Sequence, residues 1–129
     1  MTIEECKQIA EAELERLRSA SEQAFGRSFK PCKLGFALYG RTAGRAFLKE
    51  WRIELNAILF RENQSEFINT IGHEWAHLVA YAVFQDCGHG ADFYWTCGRL
   101  NIATRRCHSY STQNVGKAQL TKIKLQEYL

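Results

Sequence analysis

From Phe67 to Phe84 the chain runs eighteen residues without a proline, mostly apolar, and in the middle of that run stands His73-Glu74-Trp75-Ala76-His77. Ile71, Trp75, Leu78 and Ala82 recur at spacings of three and four, which predicts a helix with one face in a core. Helical positions i and i+4 stand one above the other, so His73 and His77 share a neighbouring face. Two imidazoles so placed can grip one zinc ion, and the glutamate between them can reach a water beside the metal. A helical histidine pair can also be merely packed or solvated. Gly72, just before the motif, costs about 1 kcal/mol against alanine in a helix interior. It reads either as tolerated strain or as the close approach of another backbone.

A catalytic zinc takes three protein ligands and keeps one open position. A downstream helical glutamate is nearly excluded as the third, because only Glu127 follows Glu74, and the other acids downstream are Asp86 and Asp92. The spacing H-E-x-x-H-x-x-G-x-x-H fails as well, since Ala80 and Val83 occupy its last two defined positions. His89 fits best. It lies in Cys87-Gly88-His89-Gly90, where the glycines allow a sharp return of the chain over the helix. The plain alternative is a loop histidine in solvent. His108, after Arg105-Arg106-Cys107, is a second candidate for ligand or hydrogen-bond donor. Cys87 ranks below His89, because a thiolate suits a structural site better.

Taken together, His73, Glu74, His77 and the segment His89-Gly90-x-x-Phe93-x-Trp95 resemble the SprT-like family of metallopeptidases, which includes the eukaryotic Spartan proteases that act on proteins crosslinked to DNA. The resemblance covers most of the chain. It implies a zincin-like α+β fold, His73, His77 and His89 as ligands of one Zn2+, and Glu74 as general base. It also implies a protein or peptide substrate, with DNA as a further expected partner. One departure stands out: bacterial SprT proteins generally continue into a zinc ribbon, and no C-x-x-C pair occurs here. The ribbon was lost, or the sequence is a piece of a longer chain.

The expected reaction is metal-assisted hydrolysis of a peptide bond, with Glu74 moving the proton. His108, Tyr110 and Arg106 are the candidates for a second donor to the transition-state oxyanion. The competing reading is a zinc-binding interaction module with weak or no proteolytic activity. Glu74 argues against it, since a purely structural site has no use for an acid there.

At 129 residues the expectation is a single domain over 1–129, with 108–129 as a tail where the ribbon would begin. The composition is that of an ordinary globular chain, and no apolar run has the roughly 18 residues of a membrane span. The N-terminus opens on a capping box, Thr2-Ile3-Glu4-Glu5, rather than a signal peptide. Five cysteines, odd in number and irregularly spaced, read as reduced thiols. The expected location is cytoplasmic or nucleoid- or nucleus-associated, not secreted and not on a membrane. The net charge is +3, but residues 26–54 carry seven bases against two acids, and 93–129 six against one. These segments read as a nucleic-acid footprint or as solvated surface, with the balance towards the latter.

Thr2 to Phe25 predicts an amphipathic helix stopped by Gly26. Pro31–Tyr39 and Phe47–Asn56 predict strands of a small antiparallel sheet, and the 47–56 segment is the expected edge for strand addition by substrate. The motif helix is expected from Asn63–Ser65 to about Gln85, and a further helix from Ala91 to Asn101 packing through Phe93, Trp95, Cys97 and Leu100. Gln119–Leu129 reads equally as strand or helix.

Overall fold

A computed structural model describes residues 2–103. His108, Tyr110, Arg106, Cys107 and the 119–129 segment lie outside the described residues.

The first helix, α1 (Ile3–Phe25), begins on the capping box read from the sequence. The Thr2 side chain accepts from the Glu5 N–H, and Glu5 accepts in return from the Thr2 N–H. It ends on Gly26 in the left-handed region, at φ 62°. Cys6, Ala10, Leu14, Leu17 and Ser21 form its buried stripe. Three short strands follow: β1 (Lys33–Gly35), β2 (Gly44–Phe47) and β3 (Arg52–Leu55). A short α2 (Ala57–Glu62), the long α3 (Gln64–Phe84) and α4 (Ala91–Arg99) complete the order. The class is α+β, as expected.

The sheet is mixed rather than wholly antiparallel. Its order is β1-β3-β2, with β2 antiparallel and β1 parallel to β3. A tight turn joins β2 to β3 and forces them antiparallel. The eight residues between β1 and β2 carry the chain past β3, so β1 adds on the other side and runs the same way as β3. The 47–56 segment is therefore not one edge strand. Residues 48–51 turn, with Trp51 at φ 54°, and β3 is paired on both sides. The edge beside the motif helix is β2.

Ile53 and Leu55 send the inner face of β3 into the core, where Ile71, Trp75, Leu78 and Val79 of α3 meet Leu14 and Leu17 of α1. Asn56 closes the far end of the sheet and is fully buried. Its Oδ1 accepts from the Ile58 and Leu59 N–H groups, which caps α2, while its Nδ2 donates to the Gly40 and Thr42 carbonyls. The sequence reading did not anticipate α2, because its apolar run Ala57–Phe60 has no helical period and is only one turn long.

Trp95 departs from its expected place in the core. It is 54% exposed, touching Phe25 and Phe84 edge-on. The buried side of α4 is set by Phe93, Thr96, Cys97 and Leu100, and a residue two positions from Phe93 points about 200° away from it. Gly72 is explained by a side chain rather than a backbone: a Cβ there would lie 3.1 Å from Ile102 Cγ2. The four described cysteines are unpaired, and among the described residues no helix is long and apolar enough to cross a membrane.

Candidate metal centre

Helix α3 brings His73 and His77 onto one face, and the chain then turns back. Gln85 caps the helix in the left-handed region at φ 60°. Asp86 follows and organises the return: its carboxylate accepts from the Gly88 N–H at 2.9 Å and from the Phe93 N–H at 3.0 Å. The second bond satisfies a first-turn amide of α4, whose own N-cap, Gly90, has no side chain to offer. One carboxylate thus ties the end of α3 to the start of α4 and places His89 above the motif.

The result is a triangle of imidazole nitrogens. The Nε2 atoms of His73, His77 and His89 lie 3.1 Å from one another on every side. Three imidazole nitrogens cannot satisfy one another in such a triangle, because each offers a single in-plane proton or lone pair and all three point inward. A cation at the convergence resolves this. A tetrahedral zinc shell with bonds of about 2.0–2.1 Å spaces its nitrogens about 3.3 Å apart, close to the separation found here. The donor set therefore fits a metal. Phe93 forms the floor, fully buried, with its ring centroid 5.1 Å from His73, 4.3 Å from His77 and 5.0 Å from His89.

Electrostatics agree with this use. Burial, and then the proximity of His89, push the His77 pKa down to about 4 against the pull of Asp86, so the ring is neutral and able to ligate at neutral pH. Glu74 is 8% exposed, and desolvation raises its pKa to about 7 against the hydrogen bond it accepts from the Ala46 backbone. That bond comes from the edge strand β2. Gly44 permits the approach: a Cβ there would stand 2.8 Å from Thr70 Cγ2 and 3.1 Å from Glu74 Cγ. A cleft of about 280 Å3 lies between β2 and α3, lined by Gly44, Ala46, Glu74, His77 and His89 among others. Cys87 is exposed on its rim, outside the group of converging ligand atoms. A cavity of about 430 Å3 between α1 and the Pro31–Leu34 segment shares no residue with the cleft.

Sequence reasoning brought forward His73, Glu74, His77 and His89, and the structure gathers all four. It missed Asp86 as the organiser of the return and Ala46 as the partner of Glu74. An aspartate two residues before a glycine and seven before a helical amide is a legible capping signal; a backbone donor from a separate strand leaves no trace in sequence.

An α+β fold with two histidines on one helix face, a third returned over them and a buried carboxylate alongside defines a candidate mononuclear metal site. The sequence model of the SprT-like family matches residues 14–127, and the chain belongs to that family. It is similar to Protein SprT of Pseudomonas putida, with 38% identity over 106 residues, covering 77% of this chain and 65% of that protein. Protein SprT of Photorhabdus laumondii shares 33% over 119 residues, or 88% and 61% of the two chains. Protein SprT of Escherichia coli K12 shares 34% over 113 residues, or 83% and 68%. The chain thus spans under two thirds of the length of the first two. The metallopeptidase zymogen abylysin of Pyrococcus abyssi aligns with a TM-score of 0.49 and 17% identity, over 88% of this chain and 89% of that one.

Proposed function

We propose that the chain is a zinc-dependent endopeptidase domain, with His73, His77 and His89 holding one Zn2+ and Glu74 acting as general base. The observation that carries this is the 3.1 Å triangle of Nε2 atoms beside a buried carboxylate in an open cleft. Zinc, when bound, supplies Lewis acidity to the scissile carbonyl and draws the pKa of a coordinated water towards about 7. Glu74 takes a proton from the attacking water and delivers it to the amine nitrogen as the C–N bond breaks. Burial makes Glu74 a stronger base than a solvent-exposed carboxylate, which suits it to both transfers. Phe93 beneath the imidazoles shields them from water and fixes their ring planes. The edge strand β2 receives an extended substrate by strand addition, in place of the 47–56 segment expected from sequence.

The physiological substrates under this reading are proteins associated with or crosslinked to DNA, inside the cell. The resemblance to the Spartan proteases supports this, as do Arg45 and Lys49, exposed beside the cleft on the basic 26–54 segment.

The test combines metal analysis with cleavage. One zinc per chain, lost in His89→Ala and kept in Glu74→Gln, with casein cleavage abolished in both, supports the reading. Cleavage undiminished in Glu74→Gln removes it from the base role. A fourth protein ligand in a zinc-bound structure favours the interaction module. DNA partnership is tested by adding single- and double-stranded oligonucleotides to the same assay; rates and binding indifferent to both overturn it.

A further inference from the structure

The metal cleft continues into a second pocket. Arg45, Ala46, Leu48 and Cys87 wall both, and beyond them lies a groove of about 480 Å3 completed by Phe47 and Tyr81. Tyr81 stands four residues after His77 on α3, one turn further along the same face. A peptide laid along β2 with its scissile bond at the histidines therefore carries a neighbouring side chain over this groove.

The chemistry of the walls selects that side chain. The floor is apolar: Ala46, Phe47, Leu48 and the Tyr81 ring. The rim is cationic. Arg45 and Lys49 are exposed there, the one carboxylate among the lining residues, Glu50, is engaged by Arg52, and Arg45 lies 5.6 Å from the Phe47 ring centroid. Arg52 is held away from substrate by Glu50 at 2.8 Å and by stacking on Phe47 at 4.3 Å. The groove exceeds the size of any single side chain, so volume excludes little, while an apolar floor under a positive rim disfavours lysine and arginine. A buried cation there would find no carboxylate on the floor.

We propose that this groove is a specificity pocket for a bulky apolar residue next to the scissile bond, and that Tyr81 and Leu48 set the preference. The proposal rests on the peptidase reading above and names its substrate class.

The experiment digests an equimolar peptide library with the zinc-loaded protein and reads the cut sites by mass spectrometry. Leucine, isoleucine, methionine or phenylalanine should be enriched at one position flanking the cut, at least tenfold over lysine and arginine. Tyr81→Asp, which places a carboxylate in the apolar wall, should admit lysine and arginine, and Leu48→Arg should shift the preference to acidic residues. Cleavage without an apolar preference, or with one that neither variant moves, overturns the pocket. A binding arm separates the two readings. Glu74→Gln is titrated by fluorescence anisotropy with a labelled leucine peptide and its lysine counterpart. Tighter binding of the leucine peptide by tenfold, with no cleavage by the parent protein, sinks the peptidase reading and upholds the pocket; equal binding sinks the pocket.

Discussion

The Trp75 indole N–H donates to Ser21 Oγ at 2.9 Å, joining the centre of the metal-site motif to the first helix across 54 residues of chain. Ser21 is itself fixed, donating to the Leu17 carbonyl at 2.7 Å. Both side chains are fully buried. The helix that carries the histidines is thus held in rotation by a polar contact inside an apolar core, where an unmade hydrogen bond is expensive. Trp75→Phe should lose about 1–2 kcal/mol of stability and Trp75→Ala about 3–5 kcal/mol, measured by denaturant unfolding. A Trp75→Phe protein as stable as its parent would show that the contact contributes nothing.

Asp86 should govern metal affinity without being a ligand. Asp86→Ala removes the acceptor for the Gly88 and Phe93 amides and frees the segment that carries His89. Zinc affinity should fall roughly 10- to 100-fold, as for other groups that orient a ligand, while the fold survives. Competition with a chromophoric chelator measures this. Unchanged affinity would mean that the glycine-flanked loop finds its place unaided.

The metal-free protein should show an unusual pH dependence. The Glu74 pKa is raised from 4.5 to about 7 in the fold, so the folded state holds a proton that the unfolded chain has released between those values. Stability from this group is full below about pH 4.5 and is lost as pH rises towards 7, by on the order of 2–3 kcal/mol. His77, lowered from 6.5 to about 4, acts oppositely: its contribution is full above about pH 6.5 and falls as pH drops towards 4. Comparing metal-free Glu74→Gln with its parent isolates the first effect. The variant should gain stability relative to the parent as pH rises from 4.5 to 7 and hold that gain at pH 8. A difference flat across this range contradicts it.

Asn56 should tolerate no substitute. Asn56→Asp keeps the acceptor for Ile58 and Leu59 but loses both donations, to the Gly40 and Thr42 carbonyls, and buries a charge against them. A loss of about 2–4 kcal/mol is expected in thermal or denaturant unfolding, more than the roughly 1 kcal/mol of an ordinary N-cap deletion.

Local signals carried far in this chain. The capping box at Thr2 and Glu5, the stop at Gly26, the span of α3 and the gathering of His73, Glu74 and His77 on one turn all follow from interactions within four residues. Chain periodicity writes such features directly into sequence. His89 was legible too, because glycines mark the return and few other ligands were left.

What the tertiary structure alone decided lies between elements. The strand Arg52–Leu55 became the centre of the sheet and Gly44–Phe47 its edge, since pairing partners are chosen by how the connections reach around one another. Trp95 went outside because α4 had already committed Phe93 and Cys97 to the core. The raised pKa of Glu74 and its backbone partner on β2 exist only once a distant strand closes over the helix. Hydrophobic period and spacing determine which side chains share a helix face; desolvation and strand order depend on what packs against that face, which no local pattern encodes.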